Sequence, residues 1–326
     1  MIITRTPLRI SIGGGGTDLP SYYTRFGGFV VSAAISQYVF VSLNQMFREG
    51  YLLKYSSLEY ANKVDEIQHP IFREVLRRHN GQGSLELASM ADVPAGTGLG
   101  SSGTFTVGLL KALYANKHEF VSASALAEEA CDIEINVLGQ AVGKQDQYIA
   151  SYGGLTCLEF HPDNSVEIKP LAISTDTLID LEQNLLMFFT GYSRNAIETL
   201  SDQKQRSLEG DPAILENLHH TKQLGLAAKE ALERGDTACF AAVMREHWEY
   251  KRGRSKGMSN DCINHWYEVG MANGALGGKL VGAGGGGYLL FYAEHPMRVR
   301  RAMAQEGLRE LCFRFDHDGS TVLVRD

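Results

Sequence analysis

The chain has 326 residues, 44% of them apolar and 21% charged, with a net charge of −7, a globular composition with room for two domains. The acidic balance excludes broad nucleic-acid or anionic-membrane binding, which needs a basic surface, so any phosphate site must be local. Five cysteines (Cys131, Cys157, Cys239, Cys262, Cys312) form no C-x-x-C pair. No apolar run reaches the length of a membrane span, and the opening Met-Ile-Ile-Thr-Arg-Thr-Pro lacks a signal peptide's apolar core. These features predict reduced thiols in a cytoplasmic protein.

In chain order, Leu8 to Ile12 reads as a strand that runs into Gly13-Gly14-Gly15-Gly16-Thr17-Asp18. Ordering four glycines costs considerable chain entropy. The segment is either a ligand loop, with Thr17 and Asp18 offering polar groups, or a flexible loop with Asp18 as a helix cap. Phe29 to Phe47 is β-branched and aromatic and predicts one or two long strands, continued by Leu52 to Ser56. Ile71 to Arg78 predicts a short helix and Leu85 to Met90 a strand.

Pro94-Ala-Gly96-Thr97-Gly98-Leu99-Gly100-Ser101-Ser102-Gly103 then leads into a helix over 104–115. Alternating glycines expose backbone N–H groups, and the helix dipole is positive at its start, so an anion fits here. An ordinary glycine turn with a serine cap is the competing reading. Two matches to the dinucleotide fingerprint, at Gly98 and Gly282, are weak. Neither follows the first strand of a βαβ unit with an acid about 20 residues on.

Ser122 to Val137 predicts a helix carrying Glu128, Glu129, Asp132 and Glu134, and the polar run Gly143-Lys144-Gln145-Asp146 follows. Residues 162–180 mark a change of domain, which divides the chain at 1–170 and 171–326. Leu185 to Phe189 predicts a buried strand, and 195–273 is helical with breaks at Gly210, Gly235 and Gly253. Strands at Lys279–Val281 and Tyr288–Tyr292 flank Gly282-Ala283-Gly284-Gly285-Gly286-Gly287. A helix over Pro296 to Glu310 and closing strands at Cys312–Phe315 and Ser320–Arg325 complete the chain.

Together, Pro7 to Asp18, Pro94 to Ser102 and Lys279 to Gly287 resemble the three ordered motifs of the GHMP kinases (galactokinase, homoserine kinase, mevalonate kinase, phosphomevalonate kinase) over the whole chain. The resemblance implies a two-domain α/β (α+β) fold. Its N-terminal domain would be an α/β unit like that of a ribosomal protein, its C-terminal domain a ferredoxin-like α+β unit, with the site in the cleft between them. It implies an ATP-dependent sugar kinase that uses ATP and Mg²⁺ and acts on a sugar phosphate; a homodimer stays open.

By the same resemblance, Pro94, Gly96, Thr97, Gly98, Leu99, Gly100, Ser101 and Ser102 hold the ATP phosphates, and Ser102 and Glu134 the metal. Glu134 stands twelve residues before Asp146, and Arg9 nine before Asp18, as in galactokinases. Asp146 is then the base and Arg9 its catalytic partner. Gly14, Gly15, Gly16, Thr17, Asp18, Gly284, Gly285 and Arg194 fall at the sugar, with Arg252 a second candidate for its phosphate. Gly14-Gly15-Gly16 replaces the Gly-Glu-His of galactokinases, and the G-G-G-G-T-D-L-P pattern is similar to that of heptose 7-phosphate kinases and fucokinase domains. The implied reaction phosphorylates the anomeric hydroxyl of D-glycero-D-manno-heptose 7-phosphate. Another sugar (fucose, mannose, galactose), a non-catalytic ATP/sugar-binding relative and an NAD-dependent oxidoreductase are the competing readings.

Overall fold

The structure is a computed structural model that describes residues 1–79, 84–192, 196–254 and 257–325. The chain opens with β1 (Ile2–Gly13), α1 (Pro20–Phe26), β2 (Gly28–Gln45), β3 (Tyr51–Lys54), β4 (Leu58–Ala61), α2 (Pro70–Arg78) and β5 (Leu85–Ala91). Next come α3 (Ser101–Asn116), α4 (Ala123–Cys131), a π turn over Asp132–Val137, α5 (Gln145–Tyr152), β6 (Leu155–Phe160) and β7 (Val166–Pro170). The later part holds α6 (Thr175–Asn184), β8 (Leu185–Phe189), α7 (Ala196–Leu208), α8 (Pro212–Glu233), α9 (Thr237–Arg252) and α10 (Asp261–Ala272). It ends with β9 (Gly277–Leu280), β10 (Tyr288–Tyr292), α11 (Pro296–Gln305), β11 (Arg309–Glu310) and β12 (Thr321–Arg325).

The predicted elements recur, with α1, β4 and α5 added where the sequence marks no element, the helix from Pro296 ending at Gln305 ahead of β11, and three further differences. Residues 175–184, read as a polar segment, form α6, because Ser174 caps Thr177 N and Leu181 is buried. Cys312–Phe315, predicted as a strand, makes only a single bridge, Phe315 to Ile35. The helix predicted over 122–137 changes to π geometry at Asp132.

Two sheets organise the molecule. In the larger one the order is β12-β1-β2-β5-β3-β4, with β6 and β7 continuing from the other half of β2. Its eighteen residues let β2 serve two neighbours on one side: Gly28–Ala33 pairs β6 and Val39–Gln45 pairs β5. The smaller sheet runs β11-β8-β10-β9. The closing strand β12 returns from the second part of the chain to pair with β1.

Pro7 lies in β1, where a missing N–H would break a ladder. The structure accommodates it because β12 pairs only with Ile2–Arg5, and the register against β2 shifts at Pro7/Leu8. Beyond Arg5 the loop 94–100 takes the place of β12, and Arg9 N donates to Leu99 O at 3.1 Å. Apolar side chains of β1, β2, β5 and α3 fill the larger core. Leu186, Phe188, Trp248, Tyr267, Leu289 and Phe291 fill a second core on the smaller sheet.

Candidate active site

One cavity of about 650 Å³ opens where the three glycine-rich segments meet. Gly98 and Gly282 form its closest seam. Both have positive φ, +81° each, and a Cβ on Gly282 would lie 2.3 Å from Gly98 Cα. Only glycine permits this approach of two backbones.

Gly96, Gly98, Gly100, Ser101 and Ser102 line the cavity. Pro94, Thr97 and Leu99 do not. Thr97 and Leu99 are fully buried; the Thr97 hydroxyl donates to Pro94 O at 2.9 Å, and Leu99 O anchors Arg9. These residues hold the loop while its glycines face the space. Ser101 Oγ, at the N-terminus of α3, is buried with no protein partner among the described residues. An unpaired hydroxyl beside free helix N–H groups fits a phosphate oxygen.

The π turn explains why one acid of four comes to lie against Ser102. Widening the helix there carries Glu134 inward, where it is fully buried. Its Oε1 accepts from the Ser102 hydroxyl and its Oε2 from Gln147 Nε2 at 2.7 Å. Burial pushes its pKa up to about 7, opposed by those hydrogen bonds. A buried carboxylate beside a hydroxyl, with no cation paired to it among the described residues, is a hard-oxygen donor set that suits Mg²⁺. Glu128 and Asp132 remain at the surface, bound to Lys144 and Arg78. Glu129, also read as a surface charge, is instead tucked against His79 at 2.9 Å and Tyr114 at 2.7 Å.

Asp146 sits in the first turn of α5 rather than in a loop. Its Oδ1 accepts from Arg9 Nε at 2.7 Å, and Arg9 Nη1 donates to Gly98 O at 2.5 Å. Arg9 is nearly buried, whereas the Asp146 side chain keeps 22% exposure toward the cavity. A carboxylate held from one side and open on the other can accept a proton from a bound hydroxyl.

Asp18 also lines the cavity. It accepts from Gly16 N at 3.0 Å and Gln145 N at 3.2 Å. Burial first, then the charge of Asp146, raises its pKa. A Cβ on Gly143 would come within 1.8 Å of Asp18 Oδ2, which accounts for glycine three residues before Asp146.

Gly15 and Gly16 line the cavity; Gly14 and Thr17 stand behind them, contrary to expectation. The Thr17 hydroxyl lies 2.8 Å from Gly14 O and 3.0 Å from Phe29 O and accepts from Phe29 N, so its bonding capacity is used internally. Gly284 and Gly285 likewise pack on Met258, with Gly285 N donating to Met258 O at 2.8 Å, because the loop turns its Gly282-Ala283 end inward. Arg194 lies outside the described residues. Arg252 is a surface residue paired with Glu249.

Two groups escaped the sequence reading. Val39, Tyr55, His69, Ile71, Val93 and Phe105 form an apolar end of the cavity, drawn from separate elements with no shared spacing. His247, Lys251 and Arg254 do share one: they recur at i, i+4 and i+7, and with Lys279 they bring buried basic side chains to the cavity wall.

Residues 65–154 match the GHMP kinases N terminal domain and residues 228–309 the GHMP kinases C terminal family. A D-glycero-alpha-D-manno-heptose 7-phosphate kinase of Campylobacter jejuni is 33% identical over 90% of this chain and 89% of its own length. The bifunctional fucokinase/GDP-fucose pyrophosphorylase of Arabidopsis thaliana is 26% identical over 90% of this chain, which spans 30% of that larger protein. The crystal structure of a D-glycero-D-manno-heptose 1-phosphate kinase from Bacteroides thetaiotaomicron superposes with a TM-score of 0.81, at 24% identity and 99% coverage of both chains, and shares the fold. The chain belongs to the GHMP kinases. It is an ATP-dependent sugar kinase, which sets aside the oxidoreductase reading.

Proposed function

We propose that this kinase transfers the γ-phosphoryl group of ATP to the anomeric hydroxyl of D-glycero-D-manno-heptose 7-phosphate, giving the 1,7-bisphosphate. The observation that carries the chemistry is the Arg9–Asp146 pair lining one cavity with Ser102, whose hydroxyl donates to the fully buried Glu134. In the reaction the anomeric oxygen attacks the γ-phosphorus as the bond to the β–γ bridging oxygen breaks and ADP departs. Asp146 accepts the anomeric proton, and an anomeric hydroxyl, being more acidic than an ordinary alcohol, needs only a modest base. Arg9 orients that carboxylate and ties it to Gly98 of the phosphate loop. Ser102 and Glu134 would hold Mg²⁺, which neutralises charge on the transferring phosphates when bound.

The 33% identity to a heptose 7-phosphate kinase supports the choice of acceptor. So does the Gly15-Gly16 wall, whose lack of side chains lets Arg254 come close beside Asp18 at the cavity. The test is ATP turnover with heptose 7-phosphate, heptose, fucose, mannose and galactose, comparing kcat/KM. Heptose 7-phosphate should exceed every other acceptor; a higher value for fucose or galactose would overturn the substrate and leave the kinase chemistry standing.

A further inference from the structure

We propose that Lys251, Arg254, Lys279 and His247 form an anion site at the acceptor end of the cavity that receives the substrate's own phosphate, the one not transferred. The inference rests on the sugar-phosphate reading above and names the residues that would select for it. Three of the four lie on or just beyond one helical face, His247 and Lys251 on α9 and Arg254 in the turn after it. Lys279 faces them from β9. Relative exposures of 6% for Lys251, 4% for Arg254 and 1% for Lys279 make these deeply buried cations, and all line the cavity.

No carboxylate is ion-paired with any of them among the described residues. Their partners are neutral: Lys279 Nζ donates to Ile12 O at 2.7 Å, and Lys251 Nζ to Leu280 O at 2.8 Å and to Gly282 O. Arg254 donates to Asn217 Oδ1 and Thr221 Oγ1, at 2.8 and 2.7 Å, and more weakly to Gly15 O at 3.3 Å. An ammonium has three protons, so Lys279 keeps two and Lys251 one for a ligand. Among the described residues, neither ring nitrogen of the buried His247 has a partner, nor do Ser11 Oγ and Gln145 Oε1, which line the same cavity. The side chains are positioned, then, but their charge is not balanced.

Buried like charges repel and lose hydration, an arrangement that a bound anion relieves. Burial, followed by mutual repulsion, accordingly lowers the pKa of Lys279 to about 7 and drives those of Lys251 and His247 well below their ordinary values. The nucleotide phosphates have their own cradle at loop 94–102. The cations instead come from the other half of the chain and reach the Gly15-Gly16 wall, where a Cβ on Gly16 would lie 2.6 Å from Arg254 Nη1. A phosphate ester offers the negative oxygens such donors need, and an unphosphorylated hexose does not.

Lys251→Gln removes the charge and keeps an amide donor for the Leu280 and Gly282 carbonyls. KM for heptose 7-phosphate should rise on the order of 10- to 100-fold, with KM for ATP and for unphosphorylated heptose close to wild type. Inorganic phosphate, titrated calorimetrically into nucleotide-free protein, should bind wild type and bind the variant at least roughly tenfold more weakly. A rise in the ATP KM with the sugar-phosphate KM unchanged, or equal losses for heptose and its 7-phosphate, would overturn the assignment. If wild type binds inorganic phosphate through Lys251 yet rejects heptose 7-phosphate, the heptose reading fails and the anion site stands. If it uses heptose 7-phosphate and Lys251→Gln changes nothing, the anion site fails alone.

Discussion

Replacing Glu134 with Gln should stabilise the ligand-free protein above neutral pH while removing most activity. The wild-type carboxylate is fully buried, and its pKa moves from an ordinary 4.5 to about 7 chiefly through burial. The folded state therefore holds a proton that the unfolded chain has released throughout the interval between those values. Wild-type stability falls as pH rises across it and levels off above about 7. At roughly 1.4 kcal/mol for each tenfold change in proton affinity, the loss is about 3 kcal/mol.

Gln escapes this loss because it never ionises. It also leaves no new orphan, since its amide oxygen can accept from Gln147 Nε2 as the carboxylate does and its amide nitrogen can donate to the Ser102 hydroxyl oxygen. Urea unfolding of both proteins without metal or nucleotide, from pH 4.5 to 8.5, gives the comparison. The two should be alike at the acid end, with the variant about 3 kcal/mol ahead at pH 8. A difference that does not grow with pH, or a variant less stable at pH 8, refutes the account of Glu134 as a buried carboxylate awaiting a cation.

Asp146→Asn should lower kcat by ~10²–10⁴-fold with the ATP KM near wild type; near-full turnover in steady-state assays would remove Asp146 as the base. Ser102→Ala should cost at least roughly tenfold in turnover at limiting Mg²⁺ with an unchanged unfolding midpoint, and unaltered turnover across a Mg²⁺ titration would separate Ser102 from the metal. Gly282→Ala places a Cβ 2.3 Å from Gly98 Cα at a φ of +81°. It should cost about 1–3 kcal/mol in denaturant unfolding and raise the ATP KM; wild-type values for both would mean that the seam between the two loops is not needed.

The elements that sequence reading recovers best are those with strong punctuation. The helical breaks near Gly210, Gly235 and Gly253 separate α7, α8 and α9, with Asp236 capping Cys239 N as its position suggests. Leu185–Phe189 recurs as β8 with those boundaries. Arg9 is paired with Asp146 and Ser102 with Glu134, side chains that the family resemblance singled out. Elsewhere a residue type was readable while its direction was not. Thr17 and Gly284 belong to ligand-like sequences but turn inward, because a loop presents only alternate faces to a cavity and the backbone path decides which. The inward turn of Glu134 depends on π geometry, for which the helical pattern carries no mark. Arg252 and Arg254 differ by two residues; one pairs with Glu249 at the surface and the other is buried, a distinction set by where α9 ends.

The origin of the charges explains why the cleft needs both halves of the chain. The acids Asp18, Glu134 and Asp146 come from segments before residue 170, and the cations Lys251, Arg254 and Lys279 from segments after it. Only Arg9 crosses that division, and it is spent on Asp146. Across the cleft the two sets attract weakly: Asp18 raises the pKa of Arg254, yet burial still lowers it to about 10. Direct pairing would have filled the space with salt bridges and closed it to ligands. Held apart by backbone contacts such as Lys279 to Ile12 O and the Gly98–Gly282 seam, the acids keep their affinity for a cation and the basic residues theirs for an anion. On the proposed function, a metal-bound nucleotide and a phosphorylated sugar would bring the opposite charges, so each ligand would relieve a different desolvation cost built into the same cleft.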